Sequence, residues 1–579
     1  MAPGSALHSP PPLCYNQFNR TVRGVVPPNR RERPMADYYT KYIKETFDPQ
    51  GRLVSYTYDY ADNFNYGYDV IDELARLYPE RLAMLWQNDR GQETRLTFSD
   101  LSRLSSQIAN LFAANGLRRG DTVMAVLRTH WEYWVVAIAA HKAGLLLAPV
   151  YYRLTQSDFA YRMEKARVRA VVACPDGDAL PNLRGAARTA GDPILWSIGG
   201  QAEGFRDFHR EREDQPETMV RVETAVRDPM ILYFTSGTTG QPKGVLHDFA
   251  YPLANHCGSM YMQGTHEGSL HFATGDTGWE VVSGTKFYCQ WLHLGALFVY
   301  DYDRFPPEKV LRALSENRVT GVMAQPTVYR KLTDVGMDRY DLSAVDCYAV
   351  GGEKLPADLG ETVYRQTGFR LNEGYAQSEA GLIAACSVNM GRREGSVGRI
   401  LPKYHVEILA DDGSFAPAGQ MGEIVIVADG GRRPEGLMMG YLDDEEANAG
   451  LWDGNLFHTG DLAVRDEDGF LYYRGRADGM IKTKGYRVSP VEIESALSLH
   501  PAVYECMAVG EPDRALGQRV KVYVRLTADY LPSEALKTEL MAFHNDRCAG
   551  YKKIRALEFV DAFARNANGK LIRDQFDRR

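Results

Sequence analysis

A glycine-rich stretch between two apolar runs holds the residues best suited to phosphate chemistry. Residues 233–244 read YFTSGTTGQPKG, after the apolar run 230–232 and before the apolar run 245–247. The glycines leave backbone N–H groups open to a ligand, the hydroxyls add donors, and Lys243 adds a cation. The pattern predicts a strand, a mobile loop that grips polyphosphate, and a second strand. The residues predicted to contact the nucleotide here are Thr235, Ser236, Gly237, Thr238, Thr239, Gly240 and Lys243.

This loop is not a Walker A motif. The GxxxxGK[ST] pattern counted from Gly237 requires a glycine at position 242, where Pro242 stands, and no helix pattern follows. A plain surface loop is the alternative interpretation. The whole string resembles the phosphate-binding signature of the adenylate-forming superfamily, which contains acyl-coenzyme A synthetases, firefly luciferase and peptide-synthetase adenylation domains.

Four further segments resemble the same superfamily in the same order, over residues 70–575. The segment 372–379, NEGYAQSE, is similar to the adenine and magnesium segment. The resemblance implies that Tyr375 stacks on the base, that Ser378 bonds a phosphate or carboxylate oxygen, and that Glu379 holds Mg²⁺ together with Thr238. Hard oxygen ligands suit that ion. Further nucleotide contacts are expected from Gly351, Gly352, Glu353, Glu373 and Gly374.

The remaining segments carry the implied ribose site, the hinge and a catalytic lysine. Asp461, in Thr-Gly-Asp, is expected to accept both ribose hydroxyls, and Arg476 to contact the ribose. Asp478 resembles the hinge between the two domains of the family, although an ordinary hairpin exit is its plain alternative. Lys570, in Asn-Gly-Lys, resembles the lysine that neutralises charge while the carboxylate attacks the α-phosphorus and pyrophosphate departs.

The resemblance also implies a second half-reaction with coenzyme A (CoA). The small C-terminal domain swings about the hinge, removes Lys570 and brings the strand around Gly485 to line the pantetheine passage. Lys484 and Arg487 are then expected to contact phosphates of CoA. The alternative is that both are solvated surface residues without a ligand.

The acyl pocket resembles that of medium-chain acyl-CoA synthetases. This resemblance rests on residues 276–279, 300–305 and 325–330. Ala376 stands where acetyl-CoA synthetases have a bulky tryptophan, so a larger acid is expected. Trp279 is expected to line the pocket, with Ser283 and Lys286 on the same helical face. A capping box from Thr277 to Glu280 is predicted to start this helix. A buried lysine needs a polar partner, and the sequence leaves two candidates for the partner of Lys286: a polar group of the substrate, or a protein acid such as Glu280.

The helices and strands that must position these residues follow the pattern of an α/β fold. Ser99 is predicted to cap a helix, followed by the strand 122–127, the helix 130–145, the strand 146–151, the helix 156–165 and the strand 170–173. This alternation predicts a parallel sheet covered on both faces, in an α/β unit that spans about residues 68 to 215. A second α/β unit runs to about residue 400, and a small antiparallel, barrel-like piece with Asp-Gly turns follows at residues 412–413 and 468–469. A calcium loop at residues 466–469 is disfavoured because the EF-hand spacing is missing.

We therefore predict a large AMP-binding domain at residues 35–477 and a small mobile α+β domain at 478–579. Residues 1–34 hold seven prolines and five arginines against one acid, which indicates a disordered tail. Met35 is an alternative start. A mitochondrial transit peptide is the less favoured interpretation of this tail, because the prolines break the required amphipathic helix. A cytoplasmic location is therefore expected.

Composition excludes several other classes. The net charge of -8 argues against a general nucleic-acid surface, which needs concentrated basic residues. The eight cysteines form no CxxC pair, so no disulfide framework or zinc ribbon is indicated. No apolar run is long enough for a spanning helix. Whether the chain forms a homodimer is left open.

The sequence thus predicts a ligase that uses ATP, Mg²⁺ and CoA to join a carboxylic acid larger than acetate (medium-chain, branched or aromatic) to CoA through an acyl-adenylate. One alternative keeps adenylation but transfers the acyl group to a carrier-protein thiol. The other is a nucleotide-binding regulatory protein without turnover. Lys243, Glu379, Asp461 and Lys570 argue against the latter, because such a protein has no need for all four.

Overall fold

The computed structural model describes residues 38–235, 241–282, 286–387, 390–483, 486–565 and 571–573, without the side chain of Lys286. The predicted tail, residues 1–34, lies outside these ranges. Nine predicted site residues also lie outside them, and their roles stay predictions: Ser236, Gly237, Thr238, Thr239, Gly240, Ser283, Lys484, Gly485 and Lys570.

Strands and helices alternate along most of the described chain. Up to residue 250 the strands are β1 Ile43–Phe47, β2 Leu53–Tyr58, β3 Leu82–Asn88, β4 Glu93–Thr97, β5 Thr122–Val126, β6 Leu146–Pro149, β7 Val168–Ala173, β8 Ile194–Ser197, β9 Arg206–Asp207, β10 Pro229–Thr235 and β11 Lys243–Asp248. The helices there are α1 Glu73–Leu77, α2 Phe98–Ala114, α3 Glu132–Lys142, α4 Gln156–Lys165, α5 Ala179–Ala187 and α6 Phe208–Glu213.

The next part of the chain, up to residue 476, continues this pattern and then becomes rich in strands. Its helices are α7 Tyr251–Ala254, α8 His256–Gln263, α9 Lys286–Leu292, α10 Pro307–Glu316, α11 Pro326–Val335, α12 Ala357–Thr367 and α13 Glu445–Ala449. Its strands are β12 Leu270–Ala273, β13 Ala296–Asp301, β14 Gly321–Ala324, β15 Cys347–Val350, β16 Asn372–Gln377, β17 Gly381–Ala385, β18 Arg399–Ile400, β19 His405–Leu409, β20 Met421–Val427, β21 Gly440–Tyr441, β22 Trp452–Asp453, β23 Leu456–Arg465 and β24 Leu471–Arg476.

The last part of the described chain forms one more sheet with two helices. Its elements are β25 Ile481–Thr483, β26 Tyr486–Val488, α14 Pro490–Leu497, β27 Val503–Asp513, β28 Gly517–Leu526, α15 Glu534–Asn545 and β29 Ile554–Phe559.

The first large sheet confirms the predicted parallel arrangement. Its strand order is β21-β11-β10-β6-β5-β7-β8-β9. Strands β6, β5, β7 and β8 pair in parallel, and β10 joins them in parallel beside β6. Strand β11 turns back antiparallel on β10, and β21 pairs antiparallel with β11 at the edge. The predicted strand, loop and strand around the glycines are therefore a hairpin at the end of a parallel sheet.

Helix α2 begins two residues before its predicted start. Its N-cap is Thr97, not Ser99, because the Thr97 hydroxyl accepts from the backbone N–H of Asp100 and the Asp100 carboxylate accepts from the backbone N–H of Thr97. An acid three residues after the cap closes both bonds of a capping box. The apolar stripe is confirmed, since Leu101, Leu104 and Ile108 are buried.

The second large sheet has the order β18-β17-β16-β15-β14-β12-β13-β3-β4. Strands β16, β15, β14, β12, β13 and β3 are parallel neighbours. The hairpin β3–β4 therefore lies in the second sheet, although its sequence position had placed it with the first. The pairing of β3 with β13, which joins residues more than 200 positions apart, is a tertiary contact that local sequence patterns do not encode.

The strand-rich part after residue 400 is an antiparallel sheet with the order β19-β20-β23-β22, and β24 pairs with β23. Both predicted Asp-Gly turns are present, since Gly413 and Gly469 have φ of +82°. At the second turn the Asp466 carboxylate accepts from the backbone N–H groups of Asp468 and Phe470. Asp466 thus closes the predicted hairpin.

The C-terminal elements form a sheet of their own, with the order β26-β25-β28-β27 and β29 parallel to β28. Buried residues of α14, α15 and this sheet, such as Ile493, Leu540 and Val522, form a separate core. The predicted hinge residue Asp478 lies in the short connection between β24 and β25. Among the described residues, no helix combines the length and apolar character needed to cross a membrane.

Candidate active site

The hairpin β10–β11 holds the two ends of the glycine-rich loop. Thr235 is the last residue of β10, and its register partner is Lys243, the first residue of β11. The Tyr161 hydroxyl donates to the carbonyl of Pro242 at 3.0 Å. The Lys243 ammonium lies over the ring of Tyr441, 4.9 Å from its centroid. The lysine of the predicted phosphate grip is therefore positioned by an aromatic ring from a distant part of the chain.

Tyr441 connects this lysine to the predicted magnesium ligand. Strand β21 pairs Tyr441 with Val245 on β11, and the Tyr441 hydroxyl donates to Oε1 of Glu379 at 2.8 Å. Lys243 and Glu379, which are 136 positions apart, therefore contact the same side chain. No pattern in the sequence indicated Tyr441, because a two-residue strand leaves no periodic signal.

His247 fixes the backbone beside Glu379. Its Nε2 lies 2.7 Å from the carbonyl oxygen of Ser378, which can only accept, so Nε2 carries the proton. Burial lowers the pKa of His247 to about 4, so the imidazole is neutral near pH 7. His247 was not among the predicted site residues either. Its alternation with Lys243 and Val245 along one strand was the available signal.

A buried carboxylate lies at the centre of the predicted nucleoside site. Asp461 is 4% exposed, and its oxygens accept from the hydroxyls of Tyr375 at 2.7 Å and Tyr473 at 3.2 Å, and from the amide of Gln377. Burial raises the pKa of this carboxyl, while Tyr375, Arg476 and Gln377 favour its charged form. Such a carboxylate is suited to accept hydrogen bonds from hydroxyl groups.

Tyr375, the predicted adenine partner, is buried and stacks on Tyr473 with ring centroids 5.6 Å apart. Arg476 faces Asp461 across β23 and β24, and its guanidinium donates to the carbonyl of Thr459 at 3.3 Å. Its Nε lies 3.5 Å from the carboxylate of Asp478, which is exposed. The structure thus brings Tyr375, Asp461 and Arg476 together. Their contacts with a nucleotide stay predictions.

The glycines after β15 contact the predicted acyl-pocket tryptophan. Gly352 has φ of +88°, and a Cβ built on it would lie 3.3 Å from Cζ2 of Trp279. Any other residue would therefore be strained there and would press on the indole. Ala376 follows the buried Tyr375 on β16 and is exposed. The segments predicted to bind adenine and acyl group are neighbours in the fold.

Two predicted nucleotide-contacting acids have protein partners. Glu353 accepts from Nη1 of Arg565 at 2.9 Å, and burial raises the pKa of its carboxyl. Glu373 accepts from the backbone N–H of Leu355 at 3.0 Å, and burial raises its pKa to about 7. Arg487, predicted for the CoA passage, forms an exposed ion pair with Asp411 at 2.9 Å.

The predicted capping box at Thr277 is wrong. The Thr277 hydroxyl is buried and has no hydrogen-bond partner among the described residues, and Glu280 instead accepts from the Tyr251 hydroxyl at 2.7 Å. The backbone N–H of Gly278 is taken by the Asp276 carboxylate at 2.7 Å. This Asp-based turn replaces the predicted helix start, because Asp276 lies two residues before the N–H that it accepts.

Glu280 gives a testable pH dependence of stability. Burial raises its pKa from 4.5 to about 7, while hydrogen bonds from Tyr251 and Ser378 oppose the shift. The folded chain therefore holds this proton more tightly than the unfolded chain. The resulting contribution of Glu280 to the free energy of unfolding is complete below pH 4.5 and is lost as the pH rises through about 7. The upper bound of this loss is about 3 kcal/mol.

In the Glu280→Gln variant, the midpoint of thermal unfolding is expected to fall less than in the wild type between about pH 5 and pH 8. Glutamine keeps a carbonyl that accepts from Tyr251 but cannot ionise. Replacing the exposed Glu80 by Gln is the matched control and is expected to leave the wild-type profile unchanged. Parallel profiles for Glu280→Gln and the wild type would contradict the assignment.

Comparisons with known proteins agree with this arrangement. Residues 71–442 match the family described as AMP-binding enzyme, and residues 492–570 match the AMP-binding enzyme C-terminal domain. Acyl-coenzyme A synthetase ACSM5, mitochondrial, of Homo sapiens is 34% identical over 527 residues, covering 88% of this chain and 90% of that protein. Acyl-coenzyme A synthetase ACSM4, mitochondrial, of Rattus norvegicus is 33% identical over 533 residues, with the same coverage.

Solved structures share the fold. The anthranilate CoA ligase AuaEII in complex with anthranoyl-AMP has a TM-score of 0.81 and 25% identity, over 90% of this chain and 97% of that chain. A benzoate CoA ligase from Burkholderia xenovorans LB400 has a TM-score of 0.78 and 23% identity, over 89% of this chain and 99% of that chain. The chain therefore belongs to the AMP-binding enzyme family, on its acyl-coenzyme A synthetase branch, and is an AMP-forming acid–thiol ligase that uses ATP and CoA.

Proposed function

We propose that the acid this ligase activates is larger than acetate, being a medium-chain, branched or aromatic carboxylic acid, and that the reaction requires Mg²⁺. The observation that carries this proposal is the small, exposed Ala376 on β16, and the contact between the Gly352 backbone and the Trp279 indole supports it. A small residue at position 376 leaves space beside the nucleotide segments, where a bulky side chain would shorten the pocket.

The residues around the loop suit a magnesium site. The Glu379 carboxylate is a hard oxygen donor, as this ion prefers, and Tyr441 fixes its orientation. When bound, Mg²⁺ neutralises phosphate charge. We assign Glu379 as the principal protein ligand and the loop hydroxyl of Thr238 as the second.

The chain's own residues divide the first half-reaction among them. Backbone N–H groups of the loop and Lys243 hold the outer phosphates, and Asp461 accepts the ribose hydroxyls. The substrate carboxylate attacks the α-phosphorus, and the bond to pyrophosphate breaks. Lys570 neutralises the charge that develops on the phosphate oxygens. Because these groups fix the reactants, no protein nucleophile is needed.

In the second half-reaction the thiol of CoA attacks the carbonyl carbon of the acyl-adenylate, and AMP leaves with the bonding electrons. Lys570 has no task in this step, since no pyrophosphate is present. We propose that the C-terminal domain, residues 478–579, turns about Asp478 between the two steps. Residues 484–487 then line the CoA passage.

A panel of carboxylic acids tests the substrate class. Pyrophosphate release is measured with ATP and Mg²⁺ for acetate, for straight acids of increasing length, and for branched and aromatic acids, followed by thioester formation with CoA. We expect acetate to give the lowest kcat/KM of the panel. The highest kcat/KM for acetate would refute the proposed acid. Pyrophosphate release with thioester formed only on a carrier protein would refute CoA as the acceptor, and no release with any acid would support a regulatory protein.

Replacing Tyr441 by Phe tests the magnesium site. This change removes the hydrogen bond to Glu379 but keeps the ring under Lys243. A hydrogen bond to a charged group contributes about 1.5 to 3 kcal/mol, so we expect the Mg²⁺ concentration for half-maximal activity to rise about tenfold or more. The KM for the acid should change little. An unchanged Mg²⁺ requirement would contradict the role of Tyr441 in positioning Glu379.

The compartment and the assembly state are further proposals. We propose a cytoplasmic location, and the printed names of the curated relatives make the mitochondrion the alternative. A fluorescent protein fused behind residues 1–37 distinguishes them by its position in the cell. A homodimer is proposed as well, and light scattering of the purified chain tests it.

A further inference from the structure

The two residues that flank the segment carrying Lys570 are paired with each other. Arg565 and Leu571 form an antiparallel β-bridge on either side of residues 566–570. Residues 566–570 themselves lie outside the described ranges. Because a segment of a few residues cannot reach far from its ends, the contacts of Arg565 and Leu571 determine where Lys570 can act.

Both flanking residues meet the carboxylate of Glu353, which lies just after β15. Nη1 of Arg565 donates to Oε1 of Glu353 at 2.9 Å, and the backbone N–H of Leu571 favours the charged form of the same carboxylate. The side chain of Glu353 is 20% exposed and that of Arg565 is 25% exposed. Fully exposed ion pairs contribute little, whereas a partly buried pair with a charge-assisted hydrogen bond is stronger. This contact is therefore strong enough to hold the ends of the segment.

Arg565 lies between two carboxylates that belong to different sheets. It donates to Glu353 beside the second large sheet and to Glu505 on β27 of the C-terminal sheet. Burial and the nearby charge of Glu505 raise the pKa of Glu353, and the guanidinium of Arg565 opposes this shift. Without Arg565 the two acids would repel each other. The guanidinium is thus what allows these two parts of the chain to meet.

The next residue, Lys354, makes a second contact with the C-terminal elements. Its ammonium donates to the hydroxyl of Ser495 on α14 at 2.8 Å. The preceding residue on that helix, Glu494, forms a bidentate ion pair with Arg573, with Nη2 of Arg573 lying 2.8 Å from Oε2. The chain on the far side of the Lys570 segment is therefore tied to the same helix. Two points of contact fix an orientation, whereas one point would allow rotation.

Glu353 also lies at the edge of the active site. It follows Gly352, on which a built Cβ would lie 3.3 Å from Cζ2 of Trp279. The contact with Arg565 is therefore made beside residues assigned to the acyl group and the nucleotide.

We propose that Glu353 is a positioning residue for acyl-adenylate formation, which holds the segment of Lys570 beside the active site through Arg565 and the backbone of Leu571. This inference rests on the proposed function, which assigns the stabilisation of charge to Lys570. It gives Glu353 a task other than the nucleotide contact that the sequence predicts. Positioning matters because a displacement of about 1 Å in an active site can cost about 100-fold in rate.

Glu353→Gln, alone and combined with Lys570→Ala, tests this inference in the full-length protein. Glutamine keeps a carbonyl that accepts a hydrogen bond but has no charge to pair with Arg565. Acyl-adenylate formation is measured by pyrophosphate release in a single turnover, over a range of ATP concentrations. Thioester formation is measured separately from synthetic acyl-adenylate and CoA. Glu361→Gln is the matched control, because Glu361 lies on α12 and forms an exposed ion pair with Arg370.

Glu353→Gln is expected to lower the rate of acyl-adenylate formation at saturating ATP by about tenfold or more, because a charge-assisted hydrogen bond is lost. The KM for ATP and the rate of thioester formation should stay within a few-fold of the wild type. In the Lys570→Ala background the same change is expected to have almost no further effect, because residues that act as a unit are not additive. Glu361→Gln is expected to leave both steps unchanged.

A loss of equal size with and without Lys570 would overturn the inference. A change confined to the KM for ATP would overturn it too, and would indicate a nucleotide contact. If Lys570→Ala is slow but Glu353→Gln is not, the inference fails and the proposed function stands. An unchanged rate in Lys570→Ala would refute both. Circular dichroism confirms folding, and if Glu353→Gln fails to fold, Arg565→Gln decides by the same comparison.

Discussion

Replacing Lys570 by Ala is expected to lower acyl-adenylate formation by a factor of about 100 to 1,000, the range found when one charge-stabilising donor is removed from an active site. Thioester formation from a preformed acyl-adenylate should stay within a few-fold of the wild type. The physical reason is that, in the proposed mechanism, Lys570 opposes charge only while pyrophosphate departs. The two half-reactions are measured separately, by pyrophosphate release and by the reaction of synthetic acyl-adenylate with CoA.

The matched control is Lys537→Ala, since Lys537 lies on helix α15 of the same C-terminal part and pairs with Glu534 on the surface. It is expected to leave both half-reactions unchanged. An equal loss in the two half-reactions of Lys570→Ala would contradict its assignment to adenylation, and would indicate a role in folding or in the passage for CoA.

Replacing Ala376 by Trp is expected to convert the enzyme towards acetate. Ala376 is exposed on β16, directly after the buried Tyr375, so an indole there would project into the space assigned to the acyl chain. Steric exclusion is severe in a packed site, and we expect kcat/KM for a six-carbon acid to fall by roughly 100-fold or more. The KM for ATP should change little, and acetate should lose less than the longer acid.

Ala376→Ser is the control for this change, because serine adds only one hydroxyl. It should preserve the order of substrate preference. If Ala376→Trp lowered activity with acetate and the longer acid by the same factor, the residue would affect the nucleotide segment as a whole and the acyl-pocket assignment would be wrong.

Local patterns predicted the elements that hold the site. The strands on both sides of the glycine-rich loop, the helix α2 with Leu101, Leu104 and Ile108 on its buried face, and the Asp-Gly turns all depend on residues close together in the chain. Periodicity and turn chemistry encode such features directly. They also specify where the loop begins and ends, which is what fixes Lys243 at the start of β11.

Features that depend on contacts between distant segments could not be predicted from local sequence patterns. Tyr441 meets Lys243 and Glu379 only because β21 pairs with β11, and the hairpin β3–β4 joins the second sheet only through β13. The failure at Glu280 has the same cause. The Glu280 carboxylate accepts from the hydroxyl of Tyr251, 29 positions earlier in the chain, so a locally plausible capping box loses to a tertiary hydrogen bond.

The bond between Glu353 and Arg565 bears on how fast the two halves of the reaction can alternate. Arg565 donates to Glu353 of the large domain and to Glu505 of the C-terminal sheet, and nearby Lys354 donates to Ser495 at 2.8 Å. The rotation that we propose for residues 478–579 about Asp478 would separate Arg565 from Glu353 and Ser495 from Lys354, whereas Arg565 and Glu505 would move together. This proposed rearrangement would therefore have an electrostatic barrier, which dissolved salt would lower by screening, so ionic strength would act on the switching rate independently of its effect on nucleotide binding.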